Sequence, residues 1–184
     1  MLRIEIIGRS LLPPSCRNRI PLFKKTVLRT LELEGETLHG EICLYFVSGR
    51  EIKRLHKKFF DSGTLTDVIT LPYLGAAPFP STGKTRPEAA ARSARGTWTA
   101  RGEPPTALAD IFICAGQART QAAEAGHPLC CELALLISHG VLHMLGHRDD
   151  DQASRKKMFQ IQNRAIRLLA RSDPQLRKAV PLPT

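Results

Sequence analysis

Residues 129–151, LCCELALLISHGVLHMLGHRDDD, decide how this chain folds. From Leu129 to Leu145 the segment is apolar except at Glu132, Ser138, His139 and His143. It is bracketed by Pro128, suited to starting a helix, and Gly146, suited to ending one. The run falls short of the roughly 20 residues that span a bilayer. Its apolar character all round predicts a buried central helix on which the other elements pack.

Working outward, Gln117 to Ala125 reads as a helix closed by Gly126. Residues from about Ala153 to Ala170 read as a last helix, with Met158, Ile161, Ile166, Leu168 and Leu169 inward. Asp149, Asp150 and Asp151 precede it, where the helix dipole favours negative charge. Towards the N-terminus, Leu2–Ile7 reads as a strand, Leu12–Asn18 as turn-rich, and Pro21–Leu33 as a helix ended by Gly35. Gly40–Val47 is a β-prone run buried on both faces. Ser48 and Glu51 form a capping box that opens a helix with Ile52, Leu55 and Phe59 inward. Thr66–Leu71, which stops at Pro72, and Leu108–Cys114 supply two further strands. The expectation is one α+β domain over residues 1–184: a four-stranded mixed sheet packed with about five helices, the candidate metal site lying on the central one.

Between the last two strands, residues 73–107 are rich in Pro, Gly, Ala, Ser and Thr. They carry Lys84, Arg86, Arg92, Arg95 and Arg101 around the sole tryptophan, Trp98. The segment reads as a flexible basic insertion, either a solvated loop or an RNA-gripping arm. The tail from Ser172, with three prolines, is expected to fray.

A net charge of +10 and a pI near 9.8 favour polyanionic partners, because neutralised phosphates release counterions. The five cysteines form an odd set without a CxxC pair, which fits free thiols in a reducing compartment. Nothing in MLRIEIIGRS resembles a secretory leader, so the expected location is the cytoplasm, with no membrane partner.

Residues four apart on a helix project from one face, with Cβ atoms about 5–6 Å apart, so His139 and His143 can reach one ion. Gly146 then turns the chain back, bringing His147, Asp149 or Asp150 towards it. Two histidines with a carboxylate or a third histidine leave a coordination position for water, as catalytic zinc sites do. As core residues, the two histidines would each need a buried hydrogen-bond partner, whereas one metal satisfies both. The residue after His139 is Gly140, not the glutamate of an HExxH metalloprotease, which disfavours that design.

HGVLHMLGHRDD, with LTDVITLP at 65–72 and LADIFIC at 108–114, resembles the YbeY family of bacterial rRNA-maturation endoribonucleases. That family carries a triad of the form HGxLHLxGxDH after strands of the form PTDVLSFP and GDIxI, and the likeness spans about Gly40 to Ala170. The resemblance implies a metal-dependent, single-strand-directed endoribonuclease acting in 16S rRNA 3′-end processing and ribosome quality control, with one zinc per chain. Its partners would be rRNA and ribosomal particles. On the triad pattern the ligands fall on His139, His143 and, where the family has histidine, Asp149. His147 is the alternative third ligand, and a two-histidine, one-carboxylate set also suits iron(II). An arginine that the family carries ahead of the first strand motif falls on Phe60. Lys57 or Lys58 could replace its charge, and with Arg119 they are the candidate phosphate contacts. Asp67 and Asp110, in the strand motifs, can be structural or catalytic. The resulting hypothesis is a water activated by the metal that His139, His143 and Asp149 hold, attacking the phosphodiester. The competing readings are a non-catalytic ribosome-assembly factor with a structural metal, and a metallohydrolase of small molecules or peptides.

Overall fold

The computed structural model describes residues 1–73 and 106–179. Strands β1 (Leu2–Ile7), β2 (Gly40–Val47), β3 (Val68–Pro72) and β4 (Ala107–Cys114) form one sheet in the order β1-β2-β4-β3. The first three of these positions are parallel, and β3 runs antiparallel on β4 at the edge. Pro72 ends β3, a position open to proline because an edge strand has a side with no ladder to donate to.

The described residues contain six α-helices: α1 (Pro14–Arg17), α2 (Ile20–Leu33), α3 (Gly49–Phe60), α4 (Ala115–Glu124), α5 (Leu129–Met144) and α6 (Gln152–Ala170). Both faces of the sheet are covered. Ile42, Leu44, Phe46, Ile111 and Ile113 point to the face that meets α2, α5 and α6, against Phe23, Val27, Leu133, Ile137, Val141 and Ile166. Cys43, Tyr45, Ile69, Leu71 and Phe112 point to the other face, covered by Ile52, Leu55 and Phe59 of α3. Coverage on both sides explains why β2 and β4 read as continuous apolar runs rather than alternating ones.

Helix α5 is central, as its composition predicts, and is apolar nearly all round because it contacts the sheet, α2, α4 and α6. Its one buried hydroxyl, Ser138, bonds Thr30 of α2 at 2.9 Å. Gly140 lies against the sheet: a Cβ there would come 2.6 Å from Ile111 Cγ2 and 3.1 Å from Thr70 Oγ1. The glycine after His139 is thus a close-packing residue, needed where the helix crosses β3 and β4.

Several expectations are corrected. The segment Leu12–Asn18 contains the one-turn helix α1, where Pro14 presets the first helical position and Cys16 is buried. Strand β3 begins at Val68 rather than Thr66; just ahead of it, Asp67 accepts the Cys114 amide through its carbonyl at 2.7 Å and the Val68 amide through Oδ1 at 2.8 Å. The tail expected to fray from Ser172 instead forms a 3-10 turn at Pro174–Ala179, anchored by Leu176, which is fully buried, and by the Gln175 carbonyl, which accepts from Cys131 Sγ. Apart from its ends, the basic insertion at 73–107, Trp98 included, lies outside the described residues. No single helix among the described residues is long and apolar enough to cross a membrane.

Candidate metal centre

Helix α5 ends in a Schellman turn. The His147 amide bonds the Leu142 carbonyl and the Gly146 amide bonds the His143 carbonyl, both at 3.0 Å, with Gly146 at φ +90°. This reversal returns the chain along the helix end and delivers Asp149 to the two histidines. His139 Nε2 and His143 Nε2 are 3.0 Å apart, and Asp149 Oδ2 lies 3.7 and 3.8 Å from them.

A point equidistant from these three atoms lies about 2 Å from each, which matches the 2.0–2.2 Å of zinc–nitrogen and zinc–oxygen bonds. Among the described residues this is the one group of three such donors that converges so closely. The side chains of His139, His143 and Asp149 keep 16, 28 and 43% exposure, so the group opens to solvent.

Neighbours fix the donors in place. His143 Nδ1 donates to the His147 carbonyl at 3.0 Å, which leaves Nε2 with its lone pair towards the centre. Arg155 of α6 donates through Nε and Nη2 to the Asp149 carbonyl at 3.1 and 2.9 Å. Burial pushes the His139 imidazole down, helped by His143 and opposed by Asp149, Asp67 and Gln162, so it is held in the neutral form that can bind a metal.

The three aspartates ahead of α6 divide their work. Asp149 joins the histidines, Asp150 pairs with Arg148, and Asp151 caps α6 by accepting the Ala153 and Ser154 amides at 2.9 Å. His147, the alternative third donor, is turned away: its Nε2 meets Glu34 Oε2 of α2 at 2.6 Å.

Other candidates do not gather at the centre. Lys57 and Lys58 are exposed on α3, on the opposite face of the sheet from the histidines, as is Phe60 at its end. Arg119 is exposed on α4, on the side of Cys16. Asp110 is buried on the α3 face and accepts the Tyr73 hydroxyl at 2.8 Å. Asp67 is near enough to His139 to act on it electrostatically but is not one of the converging donors; it accepts Gln121 Nε2 at 2.8 Å and so ties the start of β3 to α4. Glu34, Arg155, Gln162 and Phe159, which do surround the centre, carry no sequence signal of doing so, since each is placed by tertiary packing.

Residues 16–170 match the family model described as Endoribonuclease YbeY. The chain is 35% identical over 127 residues to the Endoribonuclease YbeY of Corynebacterium efficiens, an alignment covering 69% of this chain and 56% of that protein. It is 36% identical over 127 residues to that of Corynebacterium glutamicum, covering 69% and 57%, and 35% identical over 128 residues to that of Rhodococcus opacus, covering 69% and 62%. The matched stretch therefore spans about three-fifths of the length of these curated relatives. The solution structure of TM1509 from Thermotoga maritima shares the fold, with a TM-score of 0.54 over 94% of both chains at 21% identity.

Proposed function

The chain belongs to the Endoribonuclease YbeY family, and on that premise we propose that it is a metal-dependent endoribonuclease that cuts single-stranded RNA in rRNA maturation. The convergence of His139, His143 and Asp149 on one point carries the reading. The proposed substrate is 16S rRNA near its 3′ end, met on ribosomal particles as part of ribosome quality control. The net charge of +10 suits such partners. The proposed setting is the cytoplasm, consistent with five free, buried thiols.

Zinc, one per chain, is the proposed ion, since two imidazoles and a carboxylate at these spacings suit it. When bound, such an ion supplies Lewis acidity towards a phosphate oxygen and acidifies water. The protein's part is positional. His139 is kept neutral by burial, His143 is aimed by the His147 carbonyl, and Asp149 is steadied by Arg155. The open side of the centre leaves room for a phosphodiester.

The test is metal content by elemental mass spectrometry, with cleavage of a single-stranded RNA, for wild type, His143→Ala and Asp149→Ala. About one zinc per wild-type chain, lost with RNA cleavage in both variants, is the expected result. A zinc-loaded wild type that binds ribosomal particles yet cuts no RNA would replace this reading with the assembly-factor one. Full metal retention in Asp149→Ala would remove Asp149 from the ligand set.

A further inference from the structure

Phe159 leaves 46% of its surface in solvent, although burial of so large an apolar side chain is favourable. Single exposed apolar side chains are ordinary, and Phe159 is distinguished by its place. Its ring lies 6.4 Å, centroid to centroid, from that of His139, with the planes inclined by 30°. Residues one turn to either side on α6 attach to the same centre. Arg155 holds the Asp149 carbonyl, and Gln162 lies against His139. Phe159 therefore stands between two side chains that frame the metal ligands, with part of its ring open. Of the other exposed large apolar side chains among the described residues, Phe60 packs on His56 at the far side of the sheet.

An aromatic ring beside a site that takes a phosphodiester offers a surface to an unpaired base. Stacking on aromatic side chains is how proteins commonly hold single-stranded RNA, and it tolerates any base because each has a π-face. Arg155 and Lys156, four and three residues before Phe159, lie on the same side of the helix. Lys156 is exposed and supplies a cation for the backbone next to the stacked base.

Resting on the endoribonuclease reading above, we propose that Phe159 is a nucleobase platform: a base flanking the scissile phosphate stacks on its ring while Lys156 neutralises an adjacent phosphate. The platform contributes to single-strand selectivity, because a paired base is already stacked within its own helix. It accepts purines and pyrimidines alike and selects for an unpaired nucleotide rather than for a sequence.

The test compares wild type, Phe159→Ala, Phe159→Leu and Phe159→Trp on a short single-stranded RNA and on a set of the same RNA with one abasic ribose placed at successive positions. Binding is read by anisotropy and cleavage by KM and kcat, with metal content measured on each variant. Phe159→Ala and Phe159→Leu are expected to weaken binding and raise KM by roughly 5- to 100-fold, while Phe159→Trp binds as well as wild type or better. At one abasic position wild type should fall to the level of Phe159→Ala, and the substitution should then have no further effect. Wild-type binding by Phe159→Leu would show that the ring is only apolar cover for His139. An equal loss on every abasic RNA would likewise overturn the platform. A wild type that holds zinc but neither binds nor cuts RNA overturns the endoribonuclease reading itself. RNA cleavage that ignores Phe159 overturns the platform alone.

Discussion

His143 Nδ1 donates to the main-chain carbonyl of His147 at 3.0 Å, so a histidine whose side chain is turned away from the candidate centre sets the orientation of one that faces it. The carbonyl is presented by the turn at Gly146, and the His147 side chain is held from outside by Glu34 of α2 at 2.6 Å. The centre is therefore braced by four elements: α5, the loop after it, the end of α2, and α6 through Arg155.

Removing that outer brace should loosen the site without touching a ligand. Glu34→Ala is expected to weaken metal binding roughly 10-fold, as loss of outer-shell partners commonly does. Competition against a chromophoric chelator measures it, and an unchanged dissociation constant would show that the Schellman turn alone orients the loop.

Gly140→Ala should destabilise the fold by about 1–3 kcal/mol, the usual cost of forcing atoms into a packed interior. The added Cβ meets Ile111 Cγ2 at 2.6 Å, so either α5 or Ile111 must shift. Urea denaturation gives the size of the effect. Pairing Gly140→Ala with Ile111→Ala, which removes Cγ2, should cost less than the sum of the two single substitutions.

Stability should also depend on pH through a pair outside the metal ligands. Glu132 on α5 meets His127 Nε2 at 3.1 Å, and burial pushes its carboxyl up, with Asp67 adding and His127 opposing. A carboxyl raised in the folded state binds more protons there than in the unfolded chain. Its contribution is thus present below its ordinary value of 4.5 and is lost as the pH rises through the folded value. Glu132→Gln keeps an acceptor for His127 and removes the charge. It should gain on wild type as the pH rises above 4.5 in parallel denaturation curves; a constant difference between the curves would contradict the assignment.

The segment after α6 should behave as core. Leu176 is fully buried, so Leu176→Ala is expected to cost about 2–5 kcal/mol. A loss below about 0.5 kcal/mol, the range of surface substitutions, would mean that the 3-10 turn adds nothing to stability.

Much of this protein was legible as pattern. The unbroken apolar run of α5, the β-prone runs of β2 and β4, and the Ser48 cap whose hydroxyl accepts the Glu51 amide are local features, set by side-chain periodicity and backbone capping within a few residues. The i, i+4 spacing of His139 and His143 belongs to the same class, since helix geometry alone aligns them, and Gly146 marks the reversal that follows. Nothing local could choose between Asp149 and His147, which lie two residues apart in one loop. That was decided by Glu34, 113 residues from His147, which draws the imidazole to α2, and by Arg155, which holds the Asp149 carbonyl. The same holds for the lysines of α3, placed across the sheet from the histidines, and for Leu176, whose flanking prolines suggest a loose tail until the core it fills is known. Periodicity and capping are properties of neighbouring residues, whereas which side chain faces a site depends on partners that only the packed chain brings within reach.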